Sequence, residues 1–141
     1  MRIFILEDEI YQHPRKQILS ALAQHELVVA TSCEDAKEKF SGQFDLLLLD
    51  HDMRGFFDSS DFPNTGYKFC EWLVKQPFLD IPQVILHSQN PRGRGNMAKL
   101  LTQHGFVPCE FPFSQSYVEY LKKINKLRGR ERIKNGMDQV S

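Results

Sequence analysis

Short apolar runs alternate along the chain with longer stretches whose apolar positions recur every three or four residues, a pattern that predicts strands alternating with helices. Strands are expected over residues 2 to 6, Leu27 to Ala30, Phe44 to Leu49, Val84 to Leu86 and Phe106 to Glu110. A first helix carries Ile18, Leu19, Ala21 and Leu22 between Gln17 and His25 and is expected to begin near Pro14, a favourable first-turn residue. Ser32, with Asp35 three residues on, predicts the cap of a second helix running through Phe40 to a stop at Gly42. Further helices are expected from Gly66 to Gln76, from about Asn96 to His104 and from about Ser116 to Leu127. Arg54 to Thr65 is rich in Gly, Pro, Asp and Ser and reads as a long irregular loop. Five strand-helix units with short right-handed connections make an α/β fold: a flavodoxin-like, doubly wound, parallel five-stranded sheet of order 2-1-3-4-5.

The chemistry lies where the apolar runs break. Ile3-Phe4-Ile5-Leu6 ends in Glu7-Asp8-Glu9, and Leu46-Leu47-Leu48-Leu49 ends in Asp50-His51-Asp52. Ligands of open α/β sheets sit outside the carboxyl ends of the strands, and the expected order places the first and third strands side by side. Glu7, Asp8 and Asp50 therefore converge, with Asp52 close by, as hard oxygen groups that suit a divalent metal, Mg²⁺ or Mn²⁺. The fourth sheet strand adds His87 and Ser88 at the same edge. Since side chains alternate along a strand, Asp50 and Asp52 share a face that His51 opposes, so His51 is either a proton carrier or a packed neighbour.

At 141 residues the chain fits one domain over residues 1 to 127, followed by a basic tail over 128 to 141. Its net charge is zero, yet residues 1 to 61 hold twelve acids and six bases while the remainder reverses that ratio, so one region suits a cation and another an anion. Three widely spaced cysteines read as reduced core thiols rather than a disulfide or zinc framework. No apolar stretch has the roughly 20 residues needed to span a bilayer, and a cytoplasmic protein without membrane contact is expected.

Ile3 to Glu9, with its acidic pair Glu7 and Asp8, and Asp45 to Asp50, a strand ending in aspartate, resemble the receiver domain of two-component response regulators over roughly residues 1 to 127. The resemblance implies that Asp50 is the phosphoacceptor and that magnesium is held by Asp8, Asp50 and the backbone of Asp52. It also marks departures. His87 stands in the receiver's hydroxyl position, and Phe111 before Pro112 replaces its lysine before proline, so a phosphorylated Asp50 lacks its usual charge partner. Leu49-Asp50-His51-Asp52-Met53, the long loop ending in Thr65-Gly66, and His87-Ser88-Gln89-Asn90-Pro91 are similar to a divergent receiver group proposed to process cyclic phosphates in RNA repair.

Membership of that group implies a metal-dependent phosphoesterase acting on a cyclic or terminal phosphate of RNA or a nucleotide. Asp50, His51, Asp52 and His87 are the catalytic candidates, with His87 or His51 moving protons near neutral pH. Ser88, Asn90, Arg92 and Arg94 are the phosphate-binding candidates, the two arginines alternating with Gly93 and Gly95 ahead of a helix. Two other readings stand beside it. One is a non-enzymatic receiver or pseudo-receiver that docks a protein partner through its last two helices. The other is a different acid-bearing phosphotransfer fold, but only 91 residues follow Asp50, too few for the downstream elements of haloacid-dehalogenase-type phosphatases. In the acidic signature of topoisomerase-primase domains a glycine is expected where Asp8 stands.

Overall fold

The computed structural model describes residues 1–57 and 63–124. The expected basic tail, the end of the last helix and Phe62 of the long loop lie outside the described residues.

Strands β1 (Arg2–Leu6), β2 (Glu26–Ala30), β3 (Leu46–Leu49), β6 (Gln83–Leu86) and β7 (Pro108–Glu110) form one parallel sheet in the order β2-β1-β3-β6-β7. Taking the five sheet strands in sequence, this is the 2-1-3-4-5 order that the alternating pattern predicts. The four leucines of β3 and Ile3 to Leu6 of β1 are fully buried, because helices cover both faces of the sheet. On one face Phe4, Leu6, Leu47, Leu49, Val84 and Leu86 pack against α2 (Cys33–Lys39), α3 (Gly66–Leu73) and α4 (Pro91–Gln103). On the other, Ile3, Ile5, Leu46, Leu48 and Ile85 pack against α1 (Gln17–Ala21) and α5 (Gln115–Ile124). Each fully buried Leu, Ile or Phe contributes about 1.5–3 kcal/mol of transfer free energy.

The caps explain the helix starts. Ser32 Oγ accepts from the backbone N–H of Asp35 (3.0 Å), as its spacing predicts, and Thr65 Oγ1 accepts from that of Lys68 (3.2 Å) at the start of α3. Helix α4 corrects the expected start at Asn96. Asn90 Oδ1 accepts from the N–H of Gly93 (3.1 Å), and Pro91 occupies the first turn, so the helix absorbs the Arg-Gly-Arg-Gly stretch expected to be a loop. Helix α1 is shorter than expected at both ends, beginning at Gln17 after a series of turns over residues 8–16.

The stretch from Arg54 to Thr65, expected to be wholly irregular, contains pairing strands. Strands β4 (Asp52–Phe57) and β5 (Pro63–Thr65) form a separate antiparallel ribbon with Asp52 opposite Thr65. This ribbon leaves the sheet edge at the acidic residues and returns into α3.

Candidate metal and phosphate site

Parallel register places the site. Leu6, Leu49 and Leu86 are paired across β1, β3 and β6, and the ladder continues one residue further. Asp50 N–H donates to Leu6 carbonyl, and His87 N–H donates to Leu49 carbonyl, both at 3.0 Å. Glu7, Asp50 and His87 thus stand in one row. Because the leucines before them face α2–α4, alternation turns all three side chains towards α1 and α5.

Glu7 is the centre of a closed network. Its Oε1 accepts from Arg15 Nη1 (2.8 Å) and lies 3.0 Å from His87 Nε2, while its Oε2 accepts from the Glu9 N–H (3.1 Å). The other ring nitrogen of His87 lies 3.3 Å from the Tyr117 hydroxyl on α5. With a proton on Nε2, His87 donates to Glu7 and accepts from Tyr117, satisfying both ring nitrogens. Burial works against a charged Glu7, but His87, through its hydrogen bond and its charge when protonated, and Arg15 outweigh it and bring the carboxyl down to about 2. Burial and the charges of Glu7 and Asp50 push the Tyr117 hydroxyl well above its usual range, so it keeps its proton.

His87, expected to carry a proton, is a fully buried ring shared between Glu7 and Tyr117 and is not part of the cavity wall. Glu7, expected among the metal ligands, spends its oxygens on hydrogen bonds to Arg15, His87 and Glu9.

Asp8, Asp50 and Asp52 line a cavity of about 300 Å³, together with Glu9, Arg15, Ser88, Gln89 and Asn90. Asp50 Oδ1 accepts from the His51 N–H (2.8 Å), and Oδ2 lies 4.0 Å from Arg15 Nη1. Burial raises the Asp50 carboxyl to about 6, with His87 and Arg15 opposing the shift and Glu7 reinforcing it. A buried carboxylate whose charge is costly gains from a cation beside it. The carboxylates of Asp8, Asp50 and Asp52 along the cavity are hard oxygen donors of the kind that suit Mg²⁺ or Mn²⁺. Two close groups of candidate ligand atoms, each within 4.8 Å, are Glu7–Asp8–Glu9 and Glu7–Asp50–His87; in the second, Glu7 and His87 are the bonded pair already described.

His51 faces the opposite side, as alternation predicts, and its ring lies against α4. A Cβ on Gly93 would fall 2.5 Å from the ring, so glycine makes room for it. His51 Nδ1 is 2.7 Å from Asp52 Oδ1, and Asn90 Nδ2 donates to the same oxygen (3.2 Å). Burial is the largest single influence on Asp52 and disfavours its charge, but the hydrogen bonds from His51 and Asn90, with the His51 charge when protonated, together hold this carboxyl below its usual value. His51 also lines a groove of about 650 Å³ between α3 and α4, with Tyr67, Lys68, Asn96 and Lys99 among its walls. The His51–Asp52 pair therefore stands between the acidic cavity and a polar, basic groove.

The phosphate-binding candidates divide. Ser88 is buried, with its Oγ accepting from the Asn90 N–H (3.0 Å), and both residues line the acidic cavity. Arg94 is drawn away: Nε donates to Glu110 (2.9 Å) and Nη1 to the Ser88 carbonyl (2.7 Å). Arg92 is exposed in the first turn of α4 and is not part of the cavity wall. Neither arginine stands on the glycine loop expected of it, because Asn90 starts the helix before them.

Arg15 and Gln89 are site residues that strand-end reading misses. Arg15 comes from the turns between β1 and α1, and Gln89 joins it by accepting from Nη2 (3.0 Å). The replacement of the receiver lysine by Phe111 was the available signal, since a missing cation invites a search for another. Phe111 itself packs its ring against Tyr117 and Tyr120.

Comparison with solved structures places the fold in a known architecture. The response regulator TrrA from Thermotoga maritima, in complex with Mg²⁺-BeF, is similar at 23% identity and a TM-score of 0.62, covering 90% of this chain and 98% of that one. The phosphorylated cyanobacterial phytochrome response regulator RcpA is similar at 20% identity and a TM-score of 0.64, over 89% and 91% of the two chains. The Mn²⁺-bound response regulator Rcp1 is similar at 17% identity and a TM-score of 0.60, over 89% and 92%. At these identities the likeness concerns the fold. No curated protein matches the chain. A family model does, over residues 2–103, a span that runs from β1 through α4 and takes in both acidic clusters, the His51–Asp52 pair and the Ser88–Asn90 turn. With receiver topology and that match together, the chain belongs to the cyclic-phosphate processing receiver domain family.

Proposed function

We propose that the chain is a metal-dependent phosphoesterase that opens a cyclic phosphate, or removes a terminal one, at the end of an RNA or nucleotide. The observation that carries this reading is the His51–Asp52 pair at 2.7 Å, placed beside a cavity that Asp8 and Asp50 also line. An acceptor aspartate alone suits signalling; a histidine oriented by a carboxylate beside it suits proton transfer.

Asp8, Asp50 and the backbone of Asp52 would hold the cation, Mg²⁺ or Mn²⁺; of the similar proteins, TrrA is in complex with Mg²⁺-BeF and Rcp1 is Mn²⁺-bound. When bound, a divalent cation polarises a phosphoryl oxygen and lowers the pKa of water. Asp52 lines the cavity and holds the His51 ring on its far side through Nδ1, so the pair would pass a proton from a cavity water to His51. In opening a cyclic phosphate, the hydroxyl of one water joins phosphorus and one ring P–O bond breaks. The water's proton, carried by His51, ends on the released sugar hydroxyl. Ser88 and Asn90 line the cavity as polar contacts for the phosphate. His87 and Tyr117 act behind this surface by holding Glu7. Residues 1 to 127 would form this unit, with the basic tail at 128 to 141 available to a nucleic acid backbone.

A second reading, a receiver that is phosphorylated on Asp50 and docks a protein through α4 and α5, draws on the guanidinium 4.0 Å from the Asp50 carboxylate. A panel of 2′,3′-cyclic nucleotides, cyclic-ended RNA and phosphomonoesters with Mg²⁺ or Mn²⁺ separates the two. Turnover that needs metal and falls in His51→Ala is expected. Absence of turnover, with a long-lived acyl phosphate on Asp50 after treatment with acetyl phosphate, would favour the receiver that only signals.

A further inference from the structure

We infer that Arg15 is the phosphoryl-binding cation of the site, filling from the β1–α1 turn the role left vacant by Phe111. This inference deepens the reading of the cavity as a phosphate site and adds a residue that strand-end reasoning does not reach.

Its position carries the inference. The Arg15 side chain is only 12% exposed, yet it forms part of the wall of the acidic cavity next to Asp50. It is held on three sides. Nη1 donates to Glu7 (2.8 Å), Nη2 donates to Gln89 (3.0 Å), and the guanidinium carbon lies 4.2 Å from the centre of the Phe113 ring. Gln89 is held in turn, since its Nε2 donates to the Phe113 carbonyl (3.0 Å). These contacts use two of the five N–H donors of the fork and fix its plane, so donors remain for an anion without a large loss of side-chain freedom.

Charge points the same way. Arg15 Nη1 is 2.8 Å from Glu7 but 4.0 Å from Asp50, so its close pair is with the buried carboxylate and not with the phosphoacceptor position. A phosphoryl group on or beside Asp50 would enter within reach of this guanidinium. Arg94, whose Nε and Nη1 donate to Glu110 and the Ser88 carbonyl, does not line the cavity. A guanidinium fork suits phosphoryl oxygens better than a carboxylate it does not touch.

The test uses the full chain with two probes in saturating Mg²⁺: beryllofluoride, followed by ¹⁹F NMR, and orthophosphate, followed by calorimetry. Arg15→Met should weaken a probe that wild type binds by about 10- to 100-fold, and Arg15→Lys should recover part of that loss. Affinity for Mg²⁺ without an anion should hold or rise in Arg15→Met, because a positive charge leaves the metal's surroundings. Opposite signs for anion and metal distinguish anion binding from mere structural support, which would weaken both. A probe lost in Asp50→Asn marks a phosphoryl group carried on Asp50; one retained marks a phosphate held without that bond. In either case dependence on Arg15 supports the inference. It is overturned if Arg15→Met leaves both probes at wild-type affinity, if metal and anion affinities fall together, or if wild type binds neither probe. Binding that depends on Arg15 without ester hydrolysis would uphold Arg15 and remove the phosphoesterase reading.

Discussion

Glu7 Oε1 and His87 Nε2 lie 3.0 Å apart in a space that neither side chain shares with solvent. His87→Phe would keep much of the ring volume but leave Glu7 and the Tyr117 hydroxyl each short of a partner. A loss of about 1–3 kcal/mol in urea denaturation is expected. If His87→Phe is as stable as wild type, the Glu7–His87–Tyr117 network does not hold the sheet edge together.

Asp50 is the reverse case, a group whose charge works against the fold. Its folded pKa is raised to about 6 from an ordinary 3.8, so the folded state prefers the protonated form. Its cost is absent below the unfolded value, grows as pH rises between the two values, and is complete above the folded one. Metal-free Asp50→Asn should therefore melt above wild type at pH 7.5, with the difference gone near pH 3.5. Added Mg²⁺ should narrow the gap at pH 7.5 by stabilising wild type alone. Thermal melts across pH check both signs.

Gly66 is required by a close approach of backbone. Its N–H donates to the His51 carbonyl (2.7 Å), and a Cβ there would fall 1.8 Å from the Asp50 carbonyl oxygen. Gly66→Ala should displace the start of α3 from the acidic edge, at a cost of about 1–3 kcal/mol. Metal affinity measured by calorimetry should fall with it. Gly95, whose added Cβ meets no atom within 4 Å, gives the control: Gly95→Ala should leave metal affinity unchanged.

The order of the sheet was legible because the apolar runs of β1 and β3 are continuous, as buried parallel strands require, and both break directly into acids. Side-chain direction was harder to read. Alternation placed His51 opposite Asp50, but the same rule applied to β6 turns His87 towards α5, where Tyr117 waits; that contact joins residues thirty positions apart and has no local signature. Helix α4 takes in Arg92 and Arg94 because Asn90 caps it and Pro91 fills its first turn, whereas Gly93 and Gly95 favour a loop in the sequence. The pairing of Asp52 with Thr65 was hidden by turn-forming residues between them. Arg15 was missed because it comes from turns before α1, and only the fold returns those turns over the strand ends.

His51 and His87 should separate in kinetics. His51→Ala should lower kcat about 10²- to 10⁴-fold with little change in metal affinity. His87→Phe should act through stability and the geometry around Glu7, with a much smaller effect on kcat in the folded protein. Wild-type kcat in His51→Ala would return the proton-carrying role to another group.

The most direct measurement is ³¹P NMR of a 2′,3′-cyclic nucleotide incubated with Mg²⁺ and either wild type or Asp50→Asn. With wild type the cyclic phosphate resonance should give way to that of a phosphomonoester, and with Asp50→Asn it should persist. A cyclic phosphate left intact by wild type, or opened equally by both proteins, would contradict a phosphoesterase centred on Asp50.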